Sequence, residues 1–80
     1  MKIPREIKGL ALAKKLGIYG YKITRQTSSH IRLTTQKNGE NHITIPAHKA
    51  LKIGTLNSIL KNVAEHLGIT KKDVLKDLFE

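Results

Sequence analysis

The spacing of the apolar residues changes twice along this chain, from a helical period to strict alternation and back again. The first stretch runs from Pro4 to Leu16 and shows no alternation, and proline favours the first turn of a helix. Gly17 follows as a stop signal. The stretch therefore predicts an opening helix of about twelve residues.

Alternation begins after Gly20 and continues through three short runs, which predicts three β-strands. The Asn38-Gly39 dipeptide between the second and third runs is a strong hairpin signal, because such turns need positive φ. Pro46 cannot donate to a sheet ladder and ends the third strand. The sequence thus predicts a three-stranded antiparallel meander whose buried pairs are Tyr21 and Ile23, Ile31 and Leu33, and Ile43 and Ile45.

A helical period returns after Gly54-Thr55, where apolar residues recur at i, i+3, i+4, i+7 and i+11. Gly68 supplies the stop, and Thr70 with Asp73 forms a capping-box-like pair that opens a short third helix. The apolar positions of the second helix are Leu56, Ile59, Leu60, Val63 and Leu67.

This order predicts one α+β domain over residues 1–80, α-β-β-β-α with a short C-terminal helix, in which helices cover one face of the sheet. The other face is then free. Alternation predicts its side chains to be Lys22, Thr24, His30, Arg32, Thr34, His42 and Thr44.

The charge is strongly positive, with fifteen Lys and Arg against six acidic residues and a net charge of +9. Such a field favours a polyanion, because neutralised phosphates release condensed counterions. A merely solubilising surface and an acidic protein partner are the alternatives. The chain has no cysteine, no apolar run of membrane-spanning length and no secretory signal, so we expect a soluble cytoplasmic monomer without membrane contact.

His30 is the candidate for chemistry. The polar run from Gln26 to Ser29 precedes it, and Arg25 and Arg32 flank it. A histidine that titrates near neutrality can take the 2′-hydroxyl proton of RNA, while guanidinium groups hold the phosphate charge. The predicted RNA-binding residues are Lys22, Arg25, Ser28, Ser29 and Arg32. No metal-ligand spacing and no cofactor motif is present in the sequence.

Several short motifs resemble those of the HicA (YcfA-like) toxins. They are Gly20-Tyr21, Arg25-Gln26, Ser29-His30, Ile45-Pro46-Ala47-His48, Lys52-Ile53-Gly54-Thr55-Leu56 and Ser58-Ile59-Leu60-Lys61, within a likeness that runs from about Arg5 to Leu60. The resemblance implies a fold like that of double-stranded-RNA-binding domains, metal-independent cleavage of messenger RNA, and neutralisation by a HicB-like antitoxin. It places the catalytic histidine at His30. Ser28 stands where the family usually has glycine, which predicts strain or a different loop.

The remaining histidines have simpler interpretations. His42 is expected to be a solvated cross-strand residue, with a second catalytic acid as the alternative. His48 is expected to make a structural hydrogen bond, and His66 to favour the C-terminal end of the second helix.

Two rival functions remain open. One is an RNA-binding module without chemistry. The other is a helix-turn-helix DNA reader built from the segment around Gly68 and Thr70, whose reading helix would carry Asp73 and Asp77 unfavourably towards phosphates.

Overall fold

The computed structural model describes residues 6–47 and 50–79, and within them it contains three helices, a 3₁₀ helix and three strands. Helix α1 (Gly9–Lys15) runs into the 3₁₀ helix (Leu16–Tyr19). Strands β1 (Lys22–Gln26), β2 (His30–Thr35) and β3 (Asn41–Pro46) follow, and then helices α2 (Ile53–Leu67) and α3 (Lys71–Phe79). This α+β arrangement confirms the predicted fold class, including its likeness to double-stranded-RNA-binding domains.

The three strands form one antiparallel sheet in the order β1-β2-β3. The hairpin between β2 and β3 turns through Asn38 and Gly39, which have φ of 58° and 96°. Asn38 is the only non-glycine residue with positive φ in the described part of the chain. The hairpin turn predicted from Asn38-Gly39 is therefore confirmed.

The core lies between one face of the sheet and the helices. Ile31, Leu33 and Ile45 on the sheet and Leu56 and Leu60 on α2 are fully buried. Helix α1 packs on β2 and β3, and α2 packs on β3. Apolar burial of this kind is the dominant favourable term in folding a small domain, so these side chains determine which sheet face is covered.

The first helix begins later and ends differently than the sequence predicts. Ile7 O accepts a hydrogen bond from Leu51 N at 2.8 Å, and Lys8 forms a β-bridge with Ala50, so the backbone before Gly9 is extended. Gly17 does not end the helical segment either. The segment continues as the 3₁₀ helix and ends before Gly20, which has a left-handed φ of 82°. Pro4 lies outside the described residues.

Strand β1 has no buried residue, which contradicts the prediction that Ile23 faces the helices in the core. Ile23 pairs with the buried Leu33 and thus lies on the helical side, yet it is 43% exposed. The reason is position, because β1 is an edge strand and the helices pack over the other two strands. Tyr21, just before the strand, is buried as predicted.

The C-terminal helices follow the sequence closely. Helix α2 begins at Ile53 and ends at Leu67, and its C-cap residue Gly68 has a φ of 71°. Thr70 and Asp73 form the reciprocal capping box, because each side chain accepts a hydrogen bond from the other residue's backbone N–H, at 3.2 and 3.0 Å. A hydrogen bond links helix α3 to the 3₁₀ helix, because Tyr19 Oη donates to Asp77 Oδ2 at 2.7 Å.

Candidate active site

The uncovered face of the sheet, called here the outer face, carries the alternate side chains of β2 and β3. On β2 these are His30, Arg32 and Thr34, which lie opposite Pro46, Thr44 and His42 of β3. The other three residues of β2 are Ile31, Leu33 and Thr35, which are buried. The outer face is therefore polar and open, as the alternation predicts.

A β-bulge in the edge strand brings a second arginine onto this face. Ile23 pairs with Leu33, but the next pair along β1 is Arg25 with Arg32, so Thr24 is the extra residue. Simple alternation from Ile23 would direct Arg25 towards the helices. The bulge instead aims Arg25 at the outer face, directly opposite Arg32. The predicted set of outward residues omitted Arg25 because a bulge leaves no clear signal in the sequence.

The loop before His30 is organised by Thr27. Thr27 N donates to His30 O at 2.9 Å, which closes a tight connection through Ser28 and Ser29. The Thr27 hydroxyl oxygen accepts from the backbone N–H groups of Ser29 and His30, at 3.3 and 3.1 Å. Ser29 O accepts from Ala47 N at 2.9 Å. These bonds fix the backbone from which the His30 side chain projects.

Ser28 fits this loop without backbone strain. A left-handed backbone conformation has a positive φ, which glycine adopts freely but which costs serine conformational free energy. Neither Ser28 nor Ser29 has one, since Asn38 is the sole non-glycine case among the described residues. Serine in place of the glycine usual at this position is thus compatible with an ordered loop.

His30, Arg25 and Arg32 line one cavity of about 200 Å³, together with Thr27 and Thr44. Three of the predicted site residues are therefore brought together. Thr27 and Thr44 were not predicted as site residues, although Thr44 belongs to the outward set that alternation identifies. Ser28 and Ser29 form the adjoining loop.

Lys22, in contrast, does not reach this cavity. It pairs with Thr34, four residues along β2 from His30, and lines a separate cavity. At the ~3.3 Å rise of a strand residue, four residues separate the two positions by about 13 Å.

The hydrogen bonds of the histidines distinguish His30 from the others that the structure describes. His42 uses both ring nitrogens, Nδ1 at 2.8 Å from Thr34 Oγ1 and Nε2 at 3.1 Å from Glu40 Oε2. His66 Nε2 donates to the carbonyl oxygens of Lys37 and Gly39, both at 2.9 Å. Among the described residues, the ring of His30 has no hydrogen-bond partner, so its nitrogens are available to a ligand.

These contacts correct or extend the interpretation of the other histidines. His42 lies on the same face as His30 but beside Thr34, at the far end of the sheet, so it is not the neighbour of His30. This position favours the solvated cross-strand interpretation over a second catalytic acid. His66 does more than end α2, since it ties the helix to the β2–β3 hairpin. His48 lies outside the described residues.

The electrostatics around the cavity are strongly one-sided. In the described ranges the single ion pair joins His42 to Glu40, which leaves Arg25 and Arg32 without a carboxylate partner there. Hydrogen bonds from Gln36 and from His42 hold the pKa of the Glu40 carboxyl below its usual value, so Glu40 stays anionic and engaged. Two facing guanidinium groups that form no salt bridge with a described carboxylate are a site for a bound anion.

Residues 6–47 and 50–79 contain neither a metal-binding cluster nor a membrane-spanning helix. No three His, Asp or Glu side chains in these ranges come close enough together to hold a metal ion. None of the helices there combines the length and the apolar character that crossing a bilayer requires.

The model of a family described as HicA toxin of bacterial toxin-antitoxin matches residues 11–64, which include every residue that lines the His30 cavity. The chain is thus a toxin of the bacterial toxin–antitoxin class, and such a toxin has an antitoxin as its partner.

More particularly, the chain belongs to the HicA toxin family, because the match covers more than half of it. The resemblance inferred from the motifs is confirmed. No curated relative and no solved structure matches the chain.

Proposed function

We propose that this toxin is a metal-independent endoribonuclease that cleaves messenger RNA and that His30 is its catalytic residue. The observation that carries the proposal is the placement of a histidine with unengaged ring nitrogens in one cavity with Arg25 and Arg32. The arginines offer planar donors to a phosphate, and the unengaged imidazole ring of His30 offers a general base.

The chemistry follows from these groups. His30 removes the proton of a 2′-hydroxyl, and the resulting oxygen attacks the adjacent phosphorus. The O2′–P bond forms as the P–O5′ bond breaks, which leaves a 2′,3′-cyclic phosphate and a 5′-hydroxyl after the leaving oxygen takes up a proton. Arg25 and Arg32 stabilise the negative charge that develops on the phosphoryl oxygens. The reaction requires no metal or cofactor, and DNA is not a substrate because it lacks the hydroxyl.

The serines and Lys22 bind RNA outside the reacting centre. Ser28 and Ser29 are exposed in the loop beside the cavity, where their hydroxyl groups would meet a neighbouring phosphate or sugar. By the register of β1 and β2, Lys22 lies about 13 Å from His30, so it contacts a different part of the RNA. The proposal thus separates residues at the scissile phosphate from residues that hold the flanking RNA.

The antitoxin partner is proposed to be HicB-like and to cover the outer face. A partner with acidic groups would pair with Arg25 and Arg32 and would block access to His30. Adding the antitoxin to the purified toxin should then abolish cleavage, and high salt should weaken the complex because exposed charges are screened.

Expression in a bacterial host tests the function as a whole. The wild-type chain should arrest growth and degrade messages, whereas His30→Ala should fold, accumulate and be harmless. Lys61→Ala, which removes a charge from α2 instead, is the matched control and should remain toxic. Equal toxicity of the wild type and His30→Ala would discard His30 as the catalyst.

The same preparations test the two rival functions. A binding module should protect RNA from added nuclease instead of cutting it. Tight, sequence-selective binding of duplex DNA that survives His30→Ala would favour the helix-turn-helix alternative. In the structure Asp77 on α3 is bonded to Tyr19 and Asp73 caps the helix, so neither residue is arranged to read DNA.

A further inference from the structure

A second cationic cavity lies at the opposite end of the outer face from His30. It has a volume of about 380 Å³, and two lysines from different elements line it, Lys22 of β1 and Lys37 of the β2–β3 hairpin. The remaining lining residues are polar or small: Gly20, Thr24, Thr34, Thr35 and Gln36.

The floor of this cavity is a buried polar group that fixes both of its walls. Thr35 is 1% exposed, and its hydroxyl donates to Tyr19 O at 3.0 Å and accepts from Lys37 N at 3.1 Å. Gly20 lies directly against it, because a Cβ at that position would stand 3.1 Å from Thr35 Oγ1. A single side chain thus positions the backbone on each side of the cavity.

The hairpin that carries Lys37 is also held from the outside. His66 Nε2 donates to the carbonyl oxygens of Lys37 and Gly39, and Asn38 Nδ2 donates to His66 O at 2.7 Å. Hairpin loops are usually mobile, but this one is joined to the end of α2 by these three bonds. The Lys37 ammonium group is therefore presented from an anchored backbone.

The two cavities are aligned on one face. Lys22 pairs with Thr34, and Thr34 is four residues from His30 along β2, so Lys22 and His30 are about 13 Å apart along the sheet at ~3.3 Å per residue. The surface between them carries hydroxyl groups, with Thr24 Oγ1 3.0 Å from Thr34 Oγ1. The acidic residue Glu40 lies beside this path, and its carboxylate is already bonded to Gln36 and His42.

We propose that the Lys22–Lys37 cavity is a second phosphate-binding site for the same RNA strand, a few nucleotides from the bond that is cut. The inference rests on the proposed function for the direction of the strand and the place of cleavage. A separation of 13 Å corresponds to about four nucleotides at the ~3.4 Å rise of a stacked strand. The enzyme should therefore prefer substrates long enough to occupy both sites.

Equilibrium binding tests the proposal without cleavage. The protein carries His30→Ala, and the probes are labelled single-stranded RNAs of about three and about ten nucleotides, only the longer of which spans both sites. Adding Lys22→Ala and Lys37→Ala together should weaken binding of the long RNA at least tenfold. The affinity for the short RNA should stay within about twofold of that of the His30→Ala parent. The slope of log affinity against log salt for the long RNA should fall by about 0.7 for each lost contact.

Two matched variants make the result specific. Lys61→Ala removes the same charge from α2 and should change neither the affinity ratio nor the slope, whereas Lys22→Arg with Lys37→Arg should keep the long-RNA affinity. The proposal is overturned if the double alanine variant binds long RNA as tightly as Lys61→Ala, if it loses short and long RNA equally, or if the parent binds no RNA. The proposed nuclease is judged separately, by whether the wild type cleaves the long RNA.

Discussion

Replacing Arg25 by glutamine is expected to stabilise the fold and to weaken the proposed reaction at the same time. The bulge in β1 places Arg25 directly opposite Arg32, and no described carboxylate pairs with either of them. Like charges directly opposite in a sheet are destabilising, and relief of such a pair is worth about 0.2–1 kcal/mol. For a domain of this size that corresponds to a rise in Tm of about 1–8 °C.

Thermal melts at two salt concentrations check the physical cause. The rise in Tm should be largest in dilute buffer and should shrink in ~1 M salt, where the Debye length falls to about 3 Å. Lys61→Gln is the control for net charge, because a chain of charge +9 gains a little stability when any cation is removed. Arg25→Gln should melt above Lys61→Gln at low salt.

Cleavage by the same variant supplies the second half of the prediction. Removing one preorganised donor from a transition state typically lowers the rate by about 10²–10³. Arg25→Gln should therefore lose at least about a hundredfold in cleavage rate. The reasoning is refuted if Arg25→Gln melts no higher than Lys61→Gln in dilute buffer, or if it cleaves RNA as fast as the wild type.

Three further predictions concern stability. Thr35→Val should lower the free energy of unfolding by about 1–3 kcal/mol in a urea titration, because Tyr19 O and Lys37 N lose their buried partner; an unchanged midpoint would contradict this. Gly9→Ala should lower the free energy of unfolding by about 1–3 kcal/mol or more, since its Cβ would overlap Pro46 O. If the variant melts at the same temperature as the wild type, the close approach of Gly9 to Pro46 is wrong. Burial and the hydrogen bond with Asp77 raise the pKa of Tyr19 above its ordinary value of 10.0. The contribution of the neutral phenol to stability is therefore complete below about pH 10 and is lost as the pH rises further. Between melts at ~pH 9 and ~pH 11, the fall in Tm should be smaller for Tyr19→Phe than for the wild type.

Much of the fold is visible in the sequence because the local signals and the burial pattern agree. The alternation of β2 and β3, the Asn38-Gly39 turn and the Thr70–Asp73 capping box all appear where they are predicted. The exceptions depend on tertiary contacts. Gly9 starts α1 because the preceding backbone pairs with residues near Leu51, and a local pattern holds no information on such a distant pairing.

The candidate site was predictable in content but not in geometry. His30 and Arg32 follow from alternation on one strand, so their shared face could be inferred from the sequence. Arg25 reaches the same face only through the bulge at Thr24, and the division of Lys22 from His30 into separate cavities depends on strand register. Register is set by how two strands pair, which neither strand specifies alone.

The most direct test of the account is cleavage of a defined messenger RNA by the purified protein in the presence of EDTA, with the wild type beside His30→Ala. Circular dichroism first establishes that both proteins are folded. The wild type should cut the RNA without added metal and leave 2′,3′-cyclic phosphate ends, while His30→Ala should leave the RNA intact. Cleavage that is lost in EDTA, or that persists at the wild-type rate in His30→Ala, would contradict it.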